Sequence, residues 1–412
     1  MPTDQQTSDN TPIPRATPAP ARLGDATAVQ GLPRAPAPAA ASDVVRTTGL
    51  SQEGLERAAR VAARLAPDAH ARRHLHEETL RALDEAGFAR HFVPGRWGGG
   101  SGTFRELLHA TAVLAESCAS AAWCGMLWAV HGRFAARLPL PAQRELWGEG
   151  PDTRIAAGLW PSSGRARNAH RGWLVEGRWP VVSGVHHAAW LLLVAPEDEP
   201  GPSRVFAVPR DAVAVRDTWD AAGLRATGSH HVTLTETFVP EHRSLPLPAL
   251  LEAREDRDGA RCHTAPAQLA GQLLMCAPAL GAARAALRAW TRQVRPGLEA
   301  RRHAPRRIGL ARAGADIDAV ELLLDAAAFR ADSAPVTPGT VARNQRDAAV
   351  SAQRLADAVT SLTQDVTSPP DTLDEEFRRG WDDVRTVATH GALSLDAAAA
   401  AYAAALPAGE RP

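Results

Sequence analysis

A strand-rich segment in the middle of the chain constrains the fold most, because helical periodicity lies on both sides of it. Residues 151–245 hold short β-branched and aliphatic runs separated by glycine and proline, a pattern typical of strands. The flanking segments repeat apolar residues every three or four positions, as amphipathic helices do. We therefore predict an α+β chain, mainly α, with an N-terminal helical domain at 45–150, a central β-barrel or sandwich at 151–245 and a C-terminal four-helix bundle at 246–412.

Within the strand-rich segment, residues 172–195 predict a hairpin of two short strands with a tight turn at Gly177. Ser183 and Gly184 interrupt its second strand. A glycine there either relieves a bulge or lets a flat ligand approach the backbone, and the serine offers one donor and two acceptors. The residues alone leave both interpretations open.

Several helix boundaries can be predicted from local signals. Ser51 is a helix N-cap, a second helix spans 77–86 and stops at Gly87, and an alanine-rich helical pair at 307–365 breaks near Pro335. A last helix is predicted from Asp374 to about residue 403. Residues 1–44 are rich in proline, alanine and polar residues and bury little apolar surface, so we expect a disordered tail, with a recruiting peptide as the alternative.

Residues 104–138 form the longest apolar-periodic stretch of the N-terminal half and predict a helix. Trp123 and His131 share one face of it with Ser120 and Leu127. From the residues alone, a core tryptophan and a histidine bonded to a backbone carbonyl explain this face as well as a ligand cavity does.

Composition excludes several functions. All 46 basic residues are arginine, which rules out a Schiff-base lysine, a P-loop lysine and a lysine general base. The formal net charge is zero, so we expect no nucleic-acid partner. No uninterrupted apolar run reaches the length of a spanning helix, so we expect no membrane partner and a cytoplasmic protein whose four cysteines are reduced.

Two histidine pairs, 186–187 and 230–231, raise the question of a metal site. Neighbouring residues on a strand point to opposite faces, which spoils each pair as a chelate, so we expect no metal.

The motifs of the middle and last segments resemble the acyl-CoA dehydrogenase fold and, within it, the two-component, reduced-flavin-dependent monooxygenases. The resemblance covers roughly residues 50–400 and rests on motifs in the family's order. They are Trp179 with Ser183, Gly184, Ala188 and Trp190; Asp217-Thr-Trp219; Gly223-Leu-Arg-Ala-Thr-Gly-Ser229; Phe238-Val-Pro240; and Phe377 through His390. In the last motif Asp382 replaces an arginine of the family pattern, which weakens the inference about the orientation of His390.

The resemblance implies a set of site residues. Catalytic roles are implied for His390, Ser183 and His131. Cofactor contacts are implied for Trp123, Trp160, Ser183, Gly184 and Arg295. Substrate contacts are implied for Trp123, His131, Thr227 and Ser229. His390 would be the base that deprotonates a phenol or amine.

The resemblance also implies the reaction and its partners. Reduced FMN or FAD, supplied by a separate flavin reductase, would meet O2 and form a C4a-hydroperoxide that oxygenates a small electron-rich substrate in secondary metabolism. A homotetramer or homodimer is expected. Two alternatives stay open: an acyl-CoA dehydrogenase with tightly bound FAD, for which the late-helix glutamate motif is missing, and a non-redox or scaffold member of the fold.

Overall fold

The computed structural model of the chain describes residues 49–161, 163–198, 202–255, 259–295, 304–364 and 373–406. The predicted tail at 1–44 lies outside the described residues. Helices precede and follow a pair of β-sheets, as predicted. The first helices are α1 Gln52–Arg72, α2 Glu77–Ala86, α3 Phe104–Ala115, α4 Ala119–Ala135 and α5 Leu140–Trp147.

Local signals set the ends of these helices. The Ser51 hydroxyl accepts the Gly54 N–H at 3.1 Å and caps α1, and Gly87 ends α2 with a φ of +92° that favours glycine. The single helix predicted over 104–138 is wrong. It breaks at residues 116–118, because Cys118 has an extended backbone and is the N-cap of a new helix, α4.

The central strands form two sheets. They are β1 Ile155–Gly158, β2 Ser163–Ala169, β3 Gly172–Val182, β4 Trp190–Pro196, β5 Ser203–Pro209, β6 Ala214–Arg216, β7 His230–Pro240 and β8 Ser244–Pro246. One sheet has the order β1-β4-β5-β8 and the other has the order β2-β3-β7-β6. Apolar side chains from both sheets, among them Trp179 and Phe206, share one buried core, so the domain is a sandwich.

The predicted hairpin at 172–195 is wrong. β3 runs straight through Gly177, where the ladder with β7 has a bulge rather than a turn. β3 and β4 lie in different sheets, and the chain passes between them at Ser183 and Gly184. An extra glycine in a strand is a weak turn signal when a neighbouring strand offers a continuous ladder.

The C-terminal helices are α6 Leu247–Leu251, α7 Arg261–Thr264, α8 Gly271–Val294, α9 Ala304–Ser333, α10 Pro338–Gln364, α11 Glu375–Ala388 and α12 Leu395–Ala405. Helices α8 to α11 pack on one another as a four-helix bundle, and the break between α9 and α10 lies where it was predicted. Residues 267–294 are long and apolar enough to cross a membrane, yet 78% of their most apolar window is buried inside the protein, as in a core helix.

The last helix is shorter than the sequence indicates. It ends at Ala388, and a short 3-10 turn at Gly391–Leu393 separates it from α12. His390 is the N-cap of that turn rather than a residue on the face of a helix. Helix α12 consists mostly of alanines, which fit any face of a helix. The helical pattern of the sequence therefore continues across the break, although the helix itself does not.

We expect Gly281→Ala to lower the free energy of unfolding by about 2 kcal/mol, because a methyl group in this packed contact forces the helices apart. Its Cβ would lie against the carbonyl oxygen of Ala112 and 2.6 Å from Ala115 Cβ, where α8 packs on α3. Gly314→Ala in α9 is the control, because the nearest atom there is Leu287 Cδ2 at 3.9 Å. Urea unfolding of both variants measures the difference, and equal stabilities would contradict this account of the α3–α8 contact.

Candidate active site

Trp123 and Ser183 meet where α4 packs against the bend after β3. The Trp123 indole N–H donates to Ser183 Oγ at 3.1 Å. Trp123 is 4% exposed, and nearly all of α4 is buried, so the indole has no room to turn away. The structure therefore brings together two of the residues that the resemblance assigned to flavin contact.

A chain of hydroxyl groups continues from Ser183. Its Oγ lies 2.8 Å from Ser229 Oγ, which lies 2.7 Å from Thr227 Oγ1, and Thr227 donates to the carbonyl of Leu224 at 2.9 Å. Each hydroxyl has one proton to give, so the last bond fixes the direction of all the others. Thr227 donates to Leu224, Ser229 to Thr227, and Ser183 to Ser229.

This direction defines what Ser183 can still do. Its proton is committed to Ser229, and one of its two acceptor positions is taken by Trp123. One acceptor position is left, and the side chain is only half-buried. Ser183 is therefore ready to accept a hydrogen bond from a ligand N–H or O–H group.

Gly184 forms the bend of the backbone beside Ser183. Its φ is +67°, its N–H donates to the Thr227 carbonyl at 2.7 Å, and a Cβ there would lie 3.2 Å from Trp128 Nε1. The Trp128 indole N–H is buried and has no hydrogen-bond partner among the described residues. The geometry thus favours the backbone-bend interpretation of this glycine, because its Cβ position faces Trp128 and Cys124 and its conformation favours glycine.

His390 lies over the same cluster. Its ring centroid is 5.5 Å from that of Trp123, with the ring planes at 56°. Its Nδ1 accepts the Ala392 N–H at 3.2 Å, so the neutral ring carries its proton on Nε2. Burial lowers the pKa of His390 below its ordinary value, which favours this neutral form.

His131 has the opposite tautomer. Its Nδ1–H donates to the Ile155 carbonyl at 2.8 Å, which leaves a lone pair on Nε2, and burial lowers the pKa of His131 to about 4. It lies two helical turns beyond Trp123, a rise of about 12 Å. The structure therefore does not bring His131 into contact with Ser183 and His390. Its hydrogen bond to the Ile155 carbonyl agrees with the alternative of a core histidine bonded to a backbone carbonyl.

Trp160 and Arg295 also lie outside the cluster. Trp160 follows β1 and is 67% exposed. Arg295 is exposed at the end of α8, beside the first turn of α11, where Arg292 pairs with Glu376. His390 follows the last turn of α11, roughly 20 Å away by the rise of that helix. Arg295 therefore does not touch the Trp123–Ser183–His390 cluster directly.

Asp383 is a site residue to which the sequence reading gave no role. It is fully buried on α11, and its Oδ1 accepts the Leu224 N–H at 2.6 Å. Burial raises the pKa of Asp383 to about 7, from an ordinary value of 3.8. The sequence does carry a signal for a buried acid here, because Asp383 stands beside the apolar residues Val384 and Val387.

One histidine of each pair, His186 and His230, lies close to the carboxylate of Asp217. His186 Nε2 lies 2.9 Å and His230 Nε2 3.6 Å from Asp217 Oδ1. His230 Nδ1, however, accepts the N–H groups of Thr218 and Trp219, so Nε2 carries the proton and has no lone pair for a metal. This tautomer, rather than opposite strand faces, argues against a metal here.

The comparisons with known proteins agree with this architecture. Residues 273–395 match the family model described as "Acyl-CoA dehydrogenase, C-terminal domain". The structure of XiaF from Streptomyces sp. in complex with FADH2 and glycerol superposes with a TM-score of 0.78 and 25% identity, over 86% of this chain and 93% of that one. The chain therefore has the acyl-CoA dehydrogenase fold, as the sequence motifs indicated.

Two curated relatives define the group within that fold. The oxygenase subunit HsaA of a flavin-dependent monooxygenase from Mycobacterium tuberculosis is 36% identical over 181 residues, 43% of this chain and 46% of that protein. The oxygenase component of an FADH2-dependent resorcinol hydroxylase from Rhizobium sp. is 34% identical over 41% of this chain and 42% of that protein. The chain thus spans about half the length of the curated relatives it matches. It is a homologue of the oxygenase components of two-component flavin-dependent monooxygenases.

We expect Asp383→Asn to stabilise the protein more at about pH 8 than at about pH 5. The pKa of Asp383 is higher in the native state than its ordinary value. Its stabilising contribution is therefore complete below about pH 3.8 and is lost as the pH rises through about 7, where the buried carboxyl must ionise. Denaturant unfolding at both pH values measures the change.

The control for this comparison is Asp357→Asn, which alters an exposed carboxylate on α10. We expect its effect on the free energy of unfolding to be the same at both pH values. An Asp383→Asn effect that did not change with pH would contradict the assignment of a raised pKa.

Proposed function

We propose that this chain is the oxygenase component of a two-component flavin-dependent monooxygenase that hydroxylates or N-oxygenates a small electron-rich substrate. The observation that carries the proposal is the cluster of Trp123, Ser183 and His390, which offers a directed acceptor and a ring donor side by side. The names of the relatives, an oxygenase subunit and a resorcinol hydroxylase, support an aromatic substrate.

The cluster suits a reduced flavin, FMN or FAD, which when bound supplies the electrons that activate O2. Reduced isoalloxazine carries an N–H at N5, and Ser183 has one acceptor position free for such a donor. Gly184 contributes by forming the bend that presents Ser183, since its missing side chain lets Trp128 and Cys124 pack against the backbone there. The neighbouring FADH2 complex of XiaF supports this choice of cofactor.

Trp123 and His390 are in direct ring contact, with centroids 5.5 Å apart and ring planes tilted, so the substrate would lie beside this pair and not between its rings. In the tautomer fixed by Ala392, His390 presents an Nε2–H, which binds and orients a substrate oxygen. To act as the general base expected from the sequence, the ring must first give up the Ala392 bond and move its proton to Nδ1. We therefore assign His390 the role of donor in the resting site.

The remaining assignments belong to the same proposal. A separate NAD(P)H-dependent flavin reductase would supply the reduced flavin, because no nucleotide-binding glycine motif follows a strand in the sequence. A homotetramer or homodimer would allow Arg295 to reach the flavin of another subunit. A cytoplasmic location and a place in secondary metabolism complete the proposal.

The proposed function is tested by the colour and the requirements of the purified protein. We expect a nearly colourless protein that binds reduced FMN or FAD more tightly than the oxidised form. It should oxygenate a resorcinol-type phenol only when a flavin reductase, NAD(P)H and O2 are added. A yellow protein whose flavin is bleached by an acyl-CoA without oxygen would instead establish the dehydrogenase alternative, and a protein that binds neither form of flavin would establish the scaffold alternative.

We expect His390→Ala to lower the rate of oxygenation by about 100-fold while reduced-flavin binding is kept. His390→Gln places an amide N–H near the position of Nε2 and should recover much of that rate, because a donor suffices in our assignment. Single-turnover oxygenation of both variants makes the comparison. An equal loss in the two variants would show that His390 works as a general base.

A further inference from the structure

The loop from Gly223 to Ser229 carries the acceptor at which the hydroxyl chain ends. The Leu224 carbonyl accepts the Thr227 hydroxyl and the Trp219 indole N–H, both at 2.9 Å. Leu224 itself is buried and has a φ of +51°, a left-handed conformation that a leucine adopts only when its surroundings hold it there. The direction of every hydroxyl up to Ser183 therefore depends on how firmly Leu224 is held.

Helix α11 holds this loop through two hydrogen bonds and one close backbone contact. The Leu224 N–H donates to Asp383 Oδ1 at 2.6 Å, and the Gly223 N–H donates to Thr386 Oγ1 at 3.1 Å. A Cβ on Gly223 would collide with the carbonyl of Asp382, so only glycine permits the loop to lie this close. The bond from Asp383 is the one that reaches Leu224 directly.

Asp383 can exchange protons with solvent through a cavity of about 270 Å³, which it lines together with residues of α1, the α3–α4 junction, α8 and α11. The titratable and charged groups that face it there are His70, Glu116, Cys118, Glu376 and Arg379, and Asp382 and Arg225 lie close by. Glu116 is paired with Arg284 and Arg288, and Glu376 with Arg292. Their charges are therefore already balanced within the protein.

We propose that Asp383 is a positioning residue that fixes the acceptor orientation of Ser183 through Leu224, Thr227 and Ser229. This inference rests on the proposed function, because the free acceptor of Ser183 has a role only if a ligand such as reduced flavin binds there. Asp383 touches neither the substrate nor the cofactor position. It acts through three intervening residues, and four hydrogen bonds connect it with Ser183.

The hydrogen-bonded connection from Asp383 to Ser183 should depend on pH. An ionised carboxylate accepts the Leu224 N–H more strongly than a protonated one does, because charge-assisted hydrogen bonds are stronger. Burial raises the pKa of Asp383 to about 7, so the strength of this bond changes near neutrality. The orientation of the Trp123–Ser183 pair should then respond to pH over the same range, although neither group titrates there itself.

The first experiment needs no flavin. The full chain is labelled with 5-fluorotryptophan, and the fluorine signal of Trp123 is assigned by its loss in Trp123→Phe. We expect this signal to shift with a midpoint near pH 7 in the parent protein, and to show no such titration in Asp383→Asn, which keeps an acceptor for Leu224 but cannot ionise. Asp382→Asn is the matched control. Asp382 makes no side-chain hydrogen bond in the described part of the chain, but its charge helps to raise the pKa of Asp383, so this variant should still titrate, with a midpoint below that of the parent.

The second experiment measures binding of reduced FMN and FAD under anaerobic conditions. Asp383→Leu, which removes the acceptor, should weaken binding by about tenfold. Asp383→Asn should bind as the parent does near pH 6 and lose the parent's change in affinity between pH 6 and 8. Asp382→Asn should keep a change in affinity with pH, centred at a lower pH than in the parent.

The outcomes of these two experiments distinguish the positioning role of Asp383 from the proposed flavin-dependent function. An unchanged Trp123 titration in Asp383→Asn would overturn the positioning role, as would parental flavin binding in a folded Asp383→Leu protein. If the parent itself bound no reduced flavin, the proposed function would fail, and the fluorine spectra would still decide whether Asp383 controls Ser183.

Discussion

The site depends on one constraint: buried polar groups from different parts of the fold must satisfy one another. Trp123, Ser183, Ser229 and Thr227 form a single row of hydrogen bonds that ends on the Leu224 carbonyl. Because a hydroxyl has one proton, the last bond sets the direction of the whole row. The row thereby leaves one acceptor position at Ser183.

The chain passes from one sheet to the other at the segment that carries Ser183. Ser183 and Gly184 lie between β3 and β4, so the backbone must bend there, and Gly184 takes the left-handed conformation that the bend needs. A strand interrupted in this way exposes a serine that an unbroken ladder would have turned into the sheet or into solvent. Fold and site thus have a common cause, since the sandwich can close only if this segment bends.

Helix α11 joins the bundle to this region from the other side. Asp383 and Thr386 bind the Gly223–Leu224 segment, and the end of the helix at Ala388 lets His390 turn towards Trp123. An intact helix would have carried His390 onward along its axis. All three layers of the protein are therefore needed before the donor, the acceptor and the indole meet.

The sequence by itself determined what local signals control: the cap at Ser51, the stop at Gly87, the break between α9 and α10, the order of helical and strand-rich segments, and, through its motifs, the fold and the identity of the cluster residues. It did not determine the path of β3 and β4, the end of α11, the pairing of His186 with His230, or the role of Asp383. Ser183 lies 60 residues from Trp123 and 46 from Ser229, and Asp383 lies 159 from Leu224. Propensities act over a few residues, whereas the partner of a buried hydroxyl, carboxyl or imidazole is chosen by packing between distant elements, so only the tertiary structure decided the tautomers, the hydrogen-bond direction and the free acceptor.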